Sequence, residues 1–552
     1  MMEFRKKPFP FPAGRIALLL VALVPAPGSP QATLDESPPP PATLRRSSPS
    51  LDSRLAQLAE IDRREGREAA SRFAAANAIA IDARQRVRVL IHPGTAFSTG
   101  AEAAIVARVR AFAGDVQGRV GDLVEALVAI EAVEWLSGPR EIGWIEPGPL
   151  PVTMQVTSQG VAVTQASAIL EDGASYRPSA EPIRVGVLDG GFEGYSNLLG
   201  GELPASVTAR SFHPLGIGGG GVKHGTACAE IVHDMAPEAE LYLANFDTLS
   251  QHGEAVDWLV SQGVDVISYS LGWYNAGPGD GRGMVNDHVR RATTAGIEWV
   301  GSAGNDAETH WEADFSDTSG DGWHNYTSTD EGNTVSLRKG DVFIAFLNWD
   351  DWFQSSQDYD LYIFDSSNGR LMAFSENYQD GSQPPTEAAG FVAPFSGNYF
   401  VAIRRFSATR NVKLETFFVT SSPNRVQYVV PEGSLAIPAD TDGAIAVGAT
   451  YWRDDALESF SSQGPTTDGR TKPDLSAPDG VDTATYLALG GPFFGTSASA
   501  PHVAGAIALL KARFGIYSMD QVIEVLYGRA LDRGAAGKDN LYGEGRLDLV
   551  GR

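Results

Sequence analysis

Apolar and polar positions change rhythm several times along the chain. Residues 16–24 (IALLLVALV) are uninterruptedly apolar and follow Arg5, Lys6, Lys7 and Arg15. A basic start before a short apolar run is the order of an export signal, and a membrane span would need ~20 such residues. A cut is expected between Ala26 and Ala32, so residues 1–32 are read as a signal peptide and the protein as exported, secreted or periplasmic, without a stable membrane anchor. Pro38 to Pro41 make residues 33–50 a stiff linker. Apolar positions at Leu51, Leu55, Leu58 and Ile61 then have helical spacing. RVRVLIHP (86–93) alternates as a strand does, residues 101–113 read as an amphipathic helix, 123–136 as a second helix, and IGWIEP (142–147) as a strand. Residues 51–150 are therefore expected to form a helical segment and a small α+β unit. Far downstream, residues 311–421 carry short β-type runs (TVSLRKG, DVFIAFLNW, DYDLYIFD, GNYFVAIRRF and VKLETFFVT) separated by turn residues. That pattern predicts an antiparallel β-sandwich.

Composition narrows the classes. A chain of 552 residues suggests three to four domains, and 43% hydrophobic content is ample for packed cores. Forty-three Lys+Arg against 68 Asp+Glu leave a net charge of −25, which repels phosphate backbones and anionic lipid, so nucleic acid is not an expected partner. The single cysteine, Cys228, excludes an intramolecular disulfide framework.

Four segments carry candidate chemistry. IRVGVLDGG (183–191) is a β-branched run ending in Asp189, where a parallel strand of an α/β fold presents its functional groups. KHGTACAEIVHDMAP (223–237) opens an amphipathic helix at His224. IEWVGSAGN (297–305) ends a strand on the amide of Asn305. FFGTSASAPHVAG (493–505) places Ser497 at the start of a buried helix, whose free N–H groups suit a developing oxyanion. Taken singly, each has an ordinary reading: a turn carboxylate, a packed ring, an amide, an N-cap. Cys228, four residues after His224, invites a Cys–His reading, although buried lone cysteines usually act as small hydrophobes. GIGGGG (216–221) lacks the strand-turn-helix setting of a dinucleotide site, and His213, His224 and His233 are too widely spaced for zinc.

In the order Asp189, His224, Asn305, Ser497, these residues together resemble the subtilisin-like serine proteases, the subtilases (peptidase S8). SYSLG (268–272), AIAVGAT (444–450), ESFSSQGP (458–465) and KPDLSAP (472–478) agree. The resemblance implies a doubly wound, mostly parallel α/β core in two parts, residues 180–310 and 428–552. It implies that Ser497 attacks a peptide carbonyl, His224 moves the proton, Asp189 holds the imidazole, and Asn305 donates to the oxyanion. Ser270, Leu271 and Gly272, with Ser302, Ala303 and Gly304, would line the cleft and bind extended peptide by backbone pairing. Such chemistry requires no cofactor. There are departures: Gly190 stands where the family has Ser or Thr, Ala227 and Glu230 where it has His and Gly, and Ala498 where it has Met.

The intervening sandwich resembles the bacterial prepeptidase C-terminal domain through DYDLYIFDSSNG (358–369) and SGNYFVAI (396–403), and is expected to shape the pocket beside Asn305. Its acids, among them Asp317, Asp321, Asp350, Asp351, Asp358, Asp360 and Asp365, are candidate ligands for structural calcium or simply solvated turns. The small unit before the core resembles the ferredoxin-like propeptide of subtilases, which implies an intramolecular inhibitor removed by a cut between Pro147 and Ser179. The expectation is a secreted or periplasmic serine endopeptidase acting on protein or peptide; the alternative is a silent binding protein that keeps the protease core.

Overall fold

A computed structural model of the chain describes residues 50–551, apart from 78, 83, 95–100, 140, 149–151, 154–158, 172–181, 422–424 and 516–517. The expected export signal, and the linker up to residue 49, lie outside the described residues.

The Asp52 carboxylate caps α1 (Ser53–Glu65) by accepting the Arg54 N–H at 2.8 Å, and α2 (Arg67–Ala76) follows. Next come β1 (Arg86–Pro93), α3 (Ala101–Ala111), β2 (Asp115–Val120), β3 (Leu123–Ala129), a short helical stretch ending in α4 (Val133–Leu136), and β4 (Ile142–Pro147). The strands form an antiparallel sheet in the order β2-β3-β1-β4. The helix expected over residues 123–136 is thus a strand for its first half. Val124 to Val128 are buried between two ladder partners, β1 and β2, and that pairing decides a short apolar run whose spacing suits either element. The half-exposed edge strand β2 has no apolar pattern by which it could be foreseen.

After β5 (Val152–Thr153), α5 (Gly160–Val163) and α6 (Ala166–Glu171), the core begins: β6 (Arg184–Asp189), β7 (Thr208–Ser211), α7 (His224–Met235), β8 (Glu240–Asn245), α8 (Leu249–Ser261), β9 (Val266–Tyr269), β10 (Leu271–Gly272), α9 (Met284–Thr294) and β11 (Glu298–Ser302). Eight strands intervene: β12 (His310–Asp314), β13 (Asn333–Leu337), β14 (Val342–Trp349), β15 (Asp358–Asp365), β16 (Leu371–Ser375), β17 (Thr386–Val392), β18 (Gly397–Ser407) and β19 (Lys413–Thr420). The core resumes with β20 (Ala444–Tyr451), β21 (Leu475–Asp479), α10 (Ala484–Leu487), α11 (Thr496–Phe514) and α12 (Met519–Arg529).

Seven parallel strands run in the order β21-β20-β11-β9-β6-β8-β7, so the winding reverses beside β6. Helices cover both faces: Val185 and Val187 pack with α7 and α11, Leu188 and Ile267 with α8 and α9. Coverage on both sides explains why β6, β9 and β11 read as continuous apolar runs. Helix α11 is buried from Thr496 to Lys511 and crosses α7 so closely that a Cβ on Gly505 would lie 2.4 Å from Met235 Cβ.

The intervening strands make two antiparallel sheets, β12-β19-β14-β17 and β13-β18-β15-β16, on one apolar core that includes Phe343, Leu347, Leu361, Ile363, Val401 and Phe418. Three strands, β12, β16 and β17, join the five expected from sequence. Alternation along β14 sends Phe343, Ala345 and Leu347 inward, while Ile344 and Phe346 face outward and pack with Tyr274 of the core. The chain stays with this insert past residue 428: Tyr428 stacks on Tyr326, and the Val430 N–H bonds the His310 carbonyl at 2.9 Å. Among the described residues, no helix is long and apolar enough to cross a membrane.

Candidate active site

Strand β6 ends on Asp189 and α7 begins on His224, and both are buried. Their approach depends on Gly225, where a Cβ would stand 2.7 Å from Asp189 Cβ and 2.7 Å from the Gly191 carbonyl. His224 Nδ1 lies 2.7 Å from Asp189 Oδ2, and Asp189 Oδ1 accepts the Gly190 N–H at 2.7 Å. A carboxylate at Nδ1 keeps the proton there and leaves Nε2 as the basic nitrogen. Burial is the largest influence and disfavours the imidazolium, but the charge and hydrogen bond of Asp189, together with the neighbouring Cys228, outweigh it and hold the His224 pKa well above the ordinary value.

Ser497 lies in the first turn of α11. Gly495 ahead of it has φ +114°, and its N–H is held by Asp479 Oδ2 at 2.7 Å. Ser497 Oγ donates to the Ser270 carbonyl at 3.2 Å, and the Ser497 carbonyl accepts from Ser270 Oγ at 3.1 Å. Cys228 Sγ lies 3.6 Å from the Ser497 carbonyl and 4.0 Å from His224 Nδ1, which brings both helix starts into one site. The thiol sits on the Nδ1 side of the ring, and burial raises its pKa, so it lacks the place and the ionisation of a nucleophile.

Asn305 follows β11. Its Oδ1 accepts from the Thr496 N–H at 2.9 Å and from Thr496 Oγ1 at 3.0 Å. With the oxygen so engaged, the other branch of the amide, Nδ2, is the donor beside the N-terminal turn of α11.

The expected cleft residues fall into two sets. Leu271 and Gly272 form β10, and Val152 and Thr153 pair with them antiparallel. Ser302, Ala303 and Gly304 form a firmly tied wall: Ala303 bonds β20 through the Val447 carbonyl, and the Gly304 N–H bonds Thr496 Oγ1 at 3.2 Å.

Three further groups near the site were not singled out from sequence as functional. Asp306 accepts from Tyr274 OH at 2.7 Å, and burial pushes its pKa up to about 6. The Tyr274 ring stacks on Phe346 and packs on Phe417, each 5.1 Å away, so the insert reaches the residue beside Asn305. Buried Glu230, noted only as a departure, accepts the Ala484 N–H at 2.7 Å at the head of α10. Buried Asp479, with Glu458 close by, has its pKa raised well above the ordinary carboxylate value by burial and by that second charge. An acid where a family motif has glycine was the available signal for Glu230; nothing in the sequence marked the other two.

Two groups of potential metal ligands come together among the described residues: Asp189, His224 and Cys228, and His310, Glu312 and Glu415. The first is the site just described. In the second, Lys413 Nζ already bonds Glu312 at 2.7 Å and Asn348 bonds Glu415 at 2.6 Å. The calcium candidates belong to neither group. Asp317 accepts the Gly320 N–H at 2.6 Å and Asp321 the Trp323 N–H at 3.1 Å, as turn carboxylates do, whereas Asp358 and Asp360 are buried on β15.

The subtilase family model matches residues 205–339 and 351–545. The chain belongs to the subtilase family. This subtilase is 36% identical to subtilisin Savinase of Lederbergia lenta over 116 residues, 21% of this chain and 40% of that protein. It is 51% identical to an extracellular serine protease of Serratia marcescens over 55 residues, 10% of this chain and 5% of the other. The matched stretches thus span less than half of either relative. Among solved structures, the Clostridium perfringens CspB protease superposes with a TM-score of 0.51 at 16% identity, covering 71% of this chain and 97% of that one, a likeness of fold. The subtilase family comprises serine peptidases acting on protein substrates, and subtilases need no cofactor for catalysis.

Proposed function

We propose that the protein is an exported serine endopeptidase made as a zymogen. Ser497 Oγ attacks the peptide carbonyl, His224 Nε2 takes its proton and returns it to the leaving amine, and Asp189 stabilises the imidazolium. Asn305 Nδ2 and the N-terminal turn of α11 donate to the tetrahedral oxyanion. Water then hydrolyses the acyl-enzyme by the same groups. The observation that carries this reading is the 2.7 Å contact of His224 Nδ1 with buried Asp189, which orients Nε2 as a base in a site shared with Ser497. Substrate binds as an added strand on Leu271–Gly272, so recognition rests largely on backbone.

The leader unit is read as the prodomain. Its β1-α3-β2-β3-α4-β4 sequence with sheet order β2-β3-β1-β4 is the ferredoxin-like arrangement expected of a subtilase propeptide, and the antiparallel pairing of Val152–Thr153 with β10 supports this reading. The two-sheet insert, read as a β-sandwich, packs on Tyr274 and thereby on Asp306, which supports a role in shaping the pocket.

The deciding test is intact-mass labelling with a fluorophosphonate on the mature-length protein and on Ser497→Ala. A single adduct that disappears in the variant is expected. A folded, leader-free sample that takes no label would overturn the enzymatic reading.

A further inference from the structure

The open corner of the insert is covered by the leader. Strands β16 and β17 are edge strands of the two sheets and meet at a polar corner: the Asn377 N–H bonds Glu387 Oε1 at 2.8 Å, and Ser375 Oγ bonds Glu387 Oε2. The N-terminus of α1 sits on this corner. Asn377 uses both ends of its amide there, Oδ1 accepting the Ser53 N–H at 2.5 Å and Nδ2 donating to Asp52 Oδ2 at 3.2 Å. Ser53 Oγ donates to Ser375 Oγ at 3.0 Å and accepts the Glu376 N–H at 3.1 Å, while Gln57 reaches the Phe374 carbonyl at 2.8 Å. At the other end of the helical pair, Asn77 Oδ1 accepts the outward N–H of Gly390 on β17 at 2.6 Å. A side chain at Gly390 would not fit, since its Cβ would fall 2.0 Å from the Ala76 carbonyl. Asp52, Ser53, Asn77, Ser375, Asn377 and Glu387 are each no more than 2% exposed.

Residues 51–77 lie outside the four-stranded unit that faces the core, so this is a second anchor. The first is at the head of α8, where Arg88 pairs with Asp247 just before the helix and Glu125 Oε2 accepts the Ser250 N–H at 3.3 Å. We propose that the β16–β17 edge is a docking site for the helical leader segment, making the prodomain a two-point ligand whose release the insert controls. The proposal rests on the prodomain reading above. It assigns the insert a partner, the leader of its own chain, that remains bound after the connecting chain is cut. Two anchors on one rigid body act multiplicatively, so loss of either should speed release steeply. It also gives an otherwise open pair of sheet edges a cover until maturation.

The test uses the full-length Ser497→Ala chain with a site for an added protease placed between Thr153 and Gln159, so that cutting does not depend on the protein's own activity. After cutting, retention of the leader fragment on the body is followed by size exclusion, with Asn377→Ala on the insert side and Asn77→Ala on the leader side. Wild-type contacts should retain the fragment, and each variant should release it about 10- to 100-fold faster, as expected for loss of a buried hydrogen-bonded anchor. Asn77→Ala leaves the insert sequence intact, so its effect cannot come from an unfolded insert. Release at the wild-type rate in both variants would overturn the docking site. A fragment that stays bound while the Ser497 enzyme is fully active would instead overturn the inhibitor reading and leave the docking site standing.

Discussion

Asn305 and Thr496 are locked together: the asparagine oxygen accepts both the backbone N–H and the hydroxyl of the threonine, at 2.9 and 3.0 Å. The residue before Ser497 therefore sets the orientation of the amide proposed to hold the oxyanion. Asn305→Ala should lower kcat by about 100- to 1,000-fold with little change in KM, because the contact forms only as charge develops. Thr496→Val, which removes the hydroxyl but keeps the backbone donor, should cost less. A variant Asn305→Ala with wild-type kcat would exclude the amide from the oxyanion site.

The contact of Asp189 with His224 Nδ1 makes a second prediction. Asp189→Asn keeps the shape but favours the wrong tautomer, and kcat should fall by about four orders of magnitude while the fold persists. Steady-state kinetics alongside the thermal transition separates that outcome from simple unfolding.

The candidate site was legible in the sequence because each proposed role needs a fixed residue type beside a fixed backbone feature. Asp189 ends a strand, His224 and Ser497 open helices, Gly225 allows α7 to approach Asp189, and Gly495 takes the positive φ that precedes α11. The doubly wound core was legible only through the resemblance that those residues carry, and the unbroken apolar runs of β6, β9 and β11 agree with strands covered on both faces. What escaped was set by pairing between distant segments. Leu123–Ala129 is a strand because β1 and β2 flank it, and Asn77 and Asn377 gain meaning only where leader and insert meet. Neither relation leaves a local pattern to read.

Maturation should be confined to a short window. Val152–Thr153 pair with β10, the strand proposed to take substrate, whereas Gln159 bonds Asp482, and the chain just beyond is tied to the C-terminal region by the Leu549 N–H to the Thr164 carbonyl at 3.0 Å. The two ends are held by different parts of the protein, so the cut is expected between Thr153 and Gln159. N-terminal sequencing of the mature form should begin within residues 154–159; a start beyond Thr164 would mean that α5 is removed with the leader.

Asp306 and Tyr274 tie the insert to the residue beside Asn305. Tyr274→Phe removes the donor of a buried carboxylate, at a cost of about 1–3 kcal/mol. Replacing residues 311–420 by a short linker removes Phe346 and Phe417 from the Tyr274 ring as well. Both changes should alter preference at the residue before the cut in peptide-library profiling. Unchanged preference in the linker variant would show that the insert has no part in the pocket.

Glu230 makes stability depend on pH near neutrality. Burial raises its pKa to about 7, against hydrogen bonds from Thr485 and Ala484 that favour the carboxylate, and the Glu202 charge adds to the rise. The folded state therefore binds this proton more tightly than the unfolded chain, whose carboxyl titrates near 4.5. The resulting stabilisation is fully present below the unfolded value and is lost as pH rises through about 7. Asp234, raised by burial to about 6 with Glu202 also nearby, contributes in the same direction over part of that range. In the Ser497→Ala background, Tm should thus fall between pH 5 and pH 8, and Glu230→Gln should flatten the upper part of that fall, where Asp234 no longer titrates. An unchanged slope between pH 6.5 and 8 in Glu230→Gln would show that Glu230 stays ionised throughout, with its three donors at the head of α10 outweighing the cost of burial.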